Sequence, residues 1–204
     1  MSYQKLQNIK DSWNTGDIIL FHSVDNCFGK LIQKFTGSNY SHVGMILKNP
    51  NFTEKPLVGL FFWESSWENY NDSEDNKKKL GVEIVDLEEL MSRCGKIQLY
   101  YRKLVLHNKN LITNDKLSKI HDTVHNKPYD IVPTDWVEAL FRVDTRPQKT
   151  DRFWCSALLG YIYVQLELLP PNIDWSILRP SDFSSERKDF PLMNATLEKE
   201  VRIQ

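Results

Sequence analysis

The chain has 204 residues, enough for one domain with a substantial core. Hydrophobic residues make up 41% and aromatic residues 12%, which excludes a disordered chain and points to a core built on large rings. Twenty-six Lys+Arg against 27 Asp+Glu leave a net charge of −1, so no bulk charge draws the protein to nucleic acid or to an acidic membrane.

The opening "MSYQKLQNIKDSWNTGD" lacks the apolar centre of a signal peptide. The longest apolar run, Ala157 to Leu169, is short for a bilayer and carries Gln165 and Glu167, so no transmembrane segment is expected. Three cysteines, Cys27, Cys94 and Cys155, are odd in number and widely separated. That spacing argues against a disulfide framework and against a Cys-type zinc site. A reducing, cytoplasmic setting is expected, in which a thiol stays free.

In chain order, "TGDIILFHS" (15–23) reads as a buried strand. "CFGKLIQKFTGSN" (27–39) places Phe28, Leu31, Ile32 and Phe35 on one helical face. "SHVGMILK" (41–48) and "LVGLFFWESS" (57–66) read as strands around the turn-like "NPNFTEKP". The polar run 69–79 predicts a mobile loop. "GVEIVDLEELMSR" (81–93) reads as a strand entering a short helix, and "KIQLYYRKLV" (96–105) as another strand. Residues 113–127 predict an amphipathic helix, and 128–143 a short helix capped by Thr134 or Asp135. The strongest helix signal is 150–169, with Thr150 or Asp151 as its cap and the prolines at 170–171 as its stop. From Ser184 onward the pattern is poor, and a tail packed on the surface or frayed is expected. This order predicts an α+β domain over 1–183, with an antiparallel sheet and helices gathered on one side.

Three residues carry chemistry. Cys155 stands at the front of the strongest helix, where unpaired N–H groups and the helix dipole favour a thiolate. Its own N–H can help to hold an oxyanion. A hairpin turn centred near Thr53 makes opposed residue numbers sum to about 106, which sets His42 across from Glu64, Gly44 across from Phe62 and Ile46 across from Leu60. A carboxylate there can fix the imidazole tautomer and leave the other nitrogen as a base. Asp17 is a second candidate for that orienting role. His121 and His125 stand one helical turn apart in "HDTVH", a spacing that can bind metal. No Glu or third His stands at a useful sequence spacing, so a solvated helix face is the reading adopted and no metal is expected. His22 ends the first strand and reads as a plain surface residue, with lining the site as the alternative, while Cys27 and Cys94 read as structural.

The ordered set "GDIILF", "TGSNYSHVGMIL", "WES", "NKPYD", "DRFWCSALLGYIY" and "RPSDF" resembles the circularly permuted papain-like enzymes. That is the branch of NlpC-type amidases with bacterial YiiX-like hydrolases, poxvirus relatives and, more distantly, lecithin–retinol acyltransferase. The resemblance covers roughly residues 15 to 183. It implies a permuted papain-like fold, an antiparallel sheet or small barrel packed against helices. It implies a cysteine amidase or peptidase with Cys155 as nucleophile, His42 as base and Glu64 as its orienting partner, working without a cofactor. Tyr40, Tyr129, Asp130 and Trp154 are implied to shape the substrate site. The acidic residue that usually follows the Cys by two places is Ala157 here, which puts secondary contacts in doubt. A peptide, an isopeptide or an acyl lipid fits as substrate, and the relatives imply an acyltransferase as the alternative chemistry. A third reading is an inactive binding domain. A viral source would add association with the virion.

Overall fold

The structure is a computed structural model and describes residues 10–22, 39–67, 71–95, 97–130 and 150–204. The residues that carry the helix expected at 27–39, Cys27, and the expected caps Thr134 and Asp135 lie outside the described ones.

The described chain is a mixed α+β fold. Its strands are β1 (Ile18–His22), β2 (His42–Lys48), β3 (Leu60–Ser66), β4 (Gly81–Asp86), β5 (Gln98–Arg102), β6 (Leu104–Leu106), β7 (Ala195–Leu197) and β8 (Val201–Arg202). The helices are α1 (Leu87–Arg93), α2 (Asn114–Val124) and α3 (Cys155–Gln165). Six strands form one sheet in the order β4-β3-β2-β1-β5-β8, and every neighbouring pair is antiparallel. Strands β6 and β7 form a second, two-stranded sheet.

Alternation along the strands builds a core on each face. Val43, Met45 and Leu47 of β2, with Phe61 and Trp63 of β3, pack into one cluster with Leu158, Leu159 and Ile162 of α3 and with Leu117, Ile120 and Val124 of α2. The intervening residues Ile46, Phe62 and Val85 pack with Leu87, Leu90 and Met91 of α1. The helices are therefore not gathered on one side. Helix α1 follows β4 directly, and the Asp86 carboxylate caps it by accepting from the N–H groups of Glu88 and Glu89, each at 2.9 Å.

The "GD" pair has a structural task. Gly16 turns the chain at φ +102°, and buried Asp17 takes hydrogen bonds from Asn14 N at 2.8 Å, Tyr101 Oη at 2.7 Å and Leu104 N at 2.7 Å. Asp17 thus ties β1 to β5 and β6 and is not the partner of His42. Its hold on Leu104 also helps to end β5, so that the strand expected over 96–105 divides in two. Burial is the largest influence on the Asp17 carboxyl and raises its pKa despite these hydrogen bonds.

The C-terminal residues expected as a poorly patterned tail contribute β7 and β8. Buried Arg102 holds them by donating to the carbonyls of Phe183 at 2.6 Å, Leu197 at 2.9 Å and Glu198 at 2.6 Å. The polar run expected to be mobile is organised, over 71–79, around Asp72. That buried carboxylate accepts from Glu74 N at 2.7 Å and pairs with Lys79 at 3.0 Å.

Candidate active site

The β2–β3 register differs from the expected one by two residues. Met45 faces Trp63, Ile46 faces Phe62 and Lys48 faces Leu60, so opposed numbers sum to 108. The loop sets this: Asn49 N donates to Gly59 O and Gly59 N donates to the Asn49 side chain, each at 2.8 Å. Asn49 and Gly59 both have positive φ, at 49° and 124°, which the tight closure requires. The loop is therefore centred one residue beyond Thr53.

A shift of two keeps every side chain on its expected face. Extending the register sets Glu64 opposite Gly44 and leaves His42 two residues away along the same face. Gly44 has no side chain to intervene, and a Cβ there would lie 2.6 Å from the Phe62 ring. Glu64 reaches His42 on the diagonal, and Glu64 Oε2 bonds His42 Nε2. Glu64 is buried, and Phe21 packs its ring edge-on to His42 at 5.0 Å between centroids.

The third member comes from the start of α3. The helix begins at Cys155, later than the expected caps Thr150 and Asp151 would have it. Phe153 is held extended just before it: Phe153 N donates to Pro128 O, Asp130 N donates to Phe153 O, and Ser65 Oγ donates to Phe153 O at 2.6 Å. Trp154 is the N-cap residue and makes no side-chain capping hydrogen bond. Cys155 follows as a free, buried thiol in the first helical turn.

Cys155 and His42 are in contact. Burial is the largest influence on the ring and disfavours its charge. The Cys155 and Glu64 charges, with the hydrogen bonds from both, outweigh it and hold the His42 pKa well above the ordinary histidine value. Glu64 occupies Nε2, which leaves Nδ1 as the ring nitrogen not engaged by the carboxylate.

Of the residues expected to shape the site, Tyr129 is buried beside it. Burial raises its pKa most, followed by the charges of Cys155, Asp130 and Glu64. Asp130 is buried and adjoins Phe153 through its N–H, and Trp154 directly precedes Cys155. Tyr40 packs edge-on against Tyr100 at 5.7 Å and against His22 at 6.5 Å. Cys94 is buried and is the C-cap residue of α1.

Two glutamates escaped the sequence reading. Glu83 lies on β4 directly opposite Glu64, and both its carboxyl oxygens are buried without a hydrogen-bond partner. Burial, then the charges of Glu64 and Asp72, push its pKa up to about 10. Burial and these neighbouring charges favour the protonated form of Glu83 beside the Glu64–His42 pair. The signal was a Glu inside the apolar strand "GVEIV". Glu74 is the other. His121, expected on a solvated face, is buried, and its Nε2 lies 2.8 Å from Glu74 Oε2.

No protein-family model matches the chain, and no curated protein is similar to it in sequence. Among solved structures, the chain is similar to one described as metalloprotein yiiX from Escherichia coli O157:H7, DUF1105. The two share 18% identity at a TM-score of 0.41, over 94% of this chain and 96% of that one.

Proposed function

We propose that the protein is a cysteine-dependent acyl hydrolase of the amidase or peptidase type. The observation that carries this reading is His42 held between Cys155 and Glu64, with its pKa raised by both. An imidazolium beside the sulfur favours the thiolate, the nucleophilic form.

The Cys155 sulfur attacks the carbonyl carbon of an amide. The backbone N–H groups of the first turn of α3, uncapped by the Trp154 side chain, face the developing oxyanion. His42 gives its proton to the leaving amine, and the C–N bond breaks to leave a thioester on Cys155. Water then attacks the thioester while His42 accepts its proton, which releases the acid and restores the thiolate beside the imidazolium. Glu64 keeps the ring oriented throughout and stabilises its charge. Tyr129 and Trp154 flank the nucleophile and would bound the acyl pocket.

The test is labelling with an acyl probe carrying a reactive ester or amide, followed by mapping of the modified residue. The expected result is a single adduct on Cys155 that is lost in Cys155→Ala. Modification distributed over all three cysteines, or probe turnover that persists in Cys155→Ala, would remove this reading. Product analysis separates hydrolysis, which gives a free acid, from transfer, which gives an acylated acceptor.

A further inference from the structure

Away from Cys155, the turn at 72–76 meets the end of α2 at three potential ligands. Glu74 Oε2 lies 2.8 Å from His121 Nε2 and 3.2 Å from His125 Nδ1, and the three ligand atoms lie within 4.8 Å of one another. The two imidazole centroids are 4.5 Å apart. In a tetrahedral zinc site with bonds of about 2.0–2.1 Å, neighbouring ligand atoms stand about 3.3 Å apart. The separations of 2.8 and 3.2 Å are close to that edge, so a small outward movement of the rings would admit the ion.

Each ligand is placed by independent structure. His121 and His125 are four residues apart on α2 and its C-cap, so both face the same direction. Phe52 and Trp63 pack on the His121 ring at 5.5 and 6.2 Å between centroids. Glu74 is presented by the turn that Asp72 organises, and Ser73 N and Asp72 tie that turn to Ile84 of β4. The Glu74 side chain is 5% exposed and that of His125 32%, so the cluster is sheltered yet reachable from solvent. Two imidazoles turned onto one buried carboxylate oxygen crowd donors around a single acceptor. A cation between them would use the same atoms as ligands without that crowding.

We propose that Glu74, His121 and His125 form a three-ligand site for a divalent transition-metal ion, zinc foremost, with a fourth position open to water. The bound ion ties the 71–79 turn to α2, and through Asp72 to β4. The site uses none of the residues assigned to acyl chemistry.

The test is titration of the chelator-treated full chain with zinc by calorimetry, and with cobalt by absorption spectroscopy. One ion per chain is expected, with the visible bands of four-coordinate cobalt and no sulfur-to-metal charge-transfer band. His125→Ala and Glu74→Gln are expected to weaken zinc binding by roughly tenfold or more, while Cys155→Ala leaves it unchanged. Glu74→Gln keeps the size and shape of the side chain, and a melting curve of the metal-free variant that matches the native chain's shows that its loss of affinity reports ligation and not folding. A full chain that binds no zinc overturns the proposal. So does binding that survives both ligand variants, or binding that disappears in Cys155→Ala.

Discussion

Glu64 meets His42 on the diagonal, across the space left by Gly44, and not from the directly opposed position. The contact therefore depends on a residue that takes no part in it. A Cβ at position 44 would lie 2.6 Å from the Phe62 ring and 2.8 Å from the Trp63 carbonyl oxygen. Gly44→Ala is expected to destabilise the fold by roughly 1–3 kcal/mol through overpacking. It should also slow Cys155 alkylation, because the ring and carboxylate are pushed apart. Chemical denaturation and iodoacetamide kinetics on the same variant check both parts.

Glu64→Gln removes one of the two charges that raise the His42 pKa. The NMR titration midpoint of the His42 ring should fall in the variant. The sign for stability follows from the raised native value. The pairing contributes fully below the unfolded histidine value of about 6.5 and is lost as pH rises through the native one. The variant should therefore lose more stability, relative to the native chain, at pH 6 than at higher pH. An unshifted His42 midpoint would show that Glu64 does not govern the ring.

Glu83→Gln should stabilise the protein. Burial and the nearby carboxylates push the native carboxyl up to about 10, so its protonated form is the one the fold accommodates. Its contribution is present below about pH 4.5 and is lost as pH rises toward the native value. Glutamine keeps the neutral shape and removes the cost. The expected gain is about 1–3 kcal/mol at pH 7, growing with pH, as read from denaturation curves at several pH values.

Arg102→Ala should loosen the C-terminal segment. The side chain serves three carbonyls, those of Phe183, Leu197 and Glu198. Leaving them unpaired is expected to cost about 2–4 kcal/mol. Limited proteolysis should cut the variant after Ser184 well before the native chain, and equal cutting rates would contradict the role given to Arg102.

The strands around the candidate site were legible because their apolar runs are long and bounded by turn residues. Strands β1, β2, β3 and β4 and helices α1 and α2 fall where periodicity sets them. The β2–β3 register was not legible, since it depends on which pair closes a long loop, and Asn49 with Gly59 does so. The face was still correct, because an even shift preserves it. The start of α3 was misplaced because Phe153 is held by Pro128 and Asp130, partners distant in sequence that no local capping signal reveals. Glu83 and Glu74 were missed for a related reason. Each gains its meaning from a neighbour on another element, Glu64 for one and His121 for the other.

The proposed acyl chemistry needs sulfur, imidazole and carboxylate acting in a row. The most direct measurement is the alkylation rate of each cysteine at pH 6 in the native protein, resolved by peptide mapping, with His42→Ala beside it. Cys155 should react faster than Cys27 and Cys94, and should lose that advantage in His42→Ala. A Cys155 that reacts no faster than the other two, or whose rate is indifferent to His42, would contradict the account.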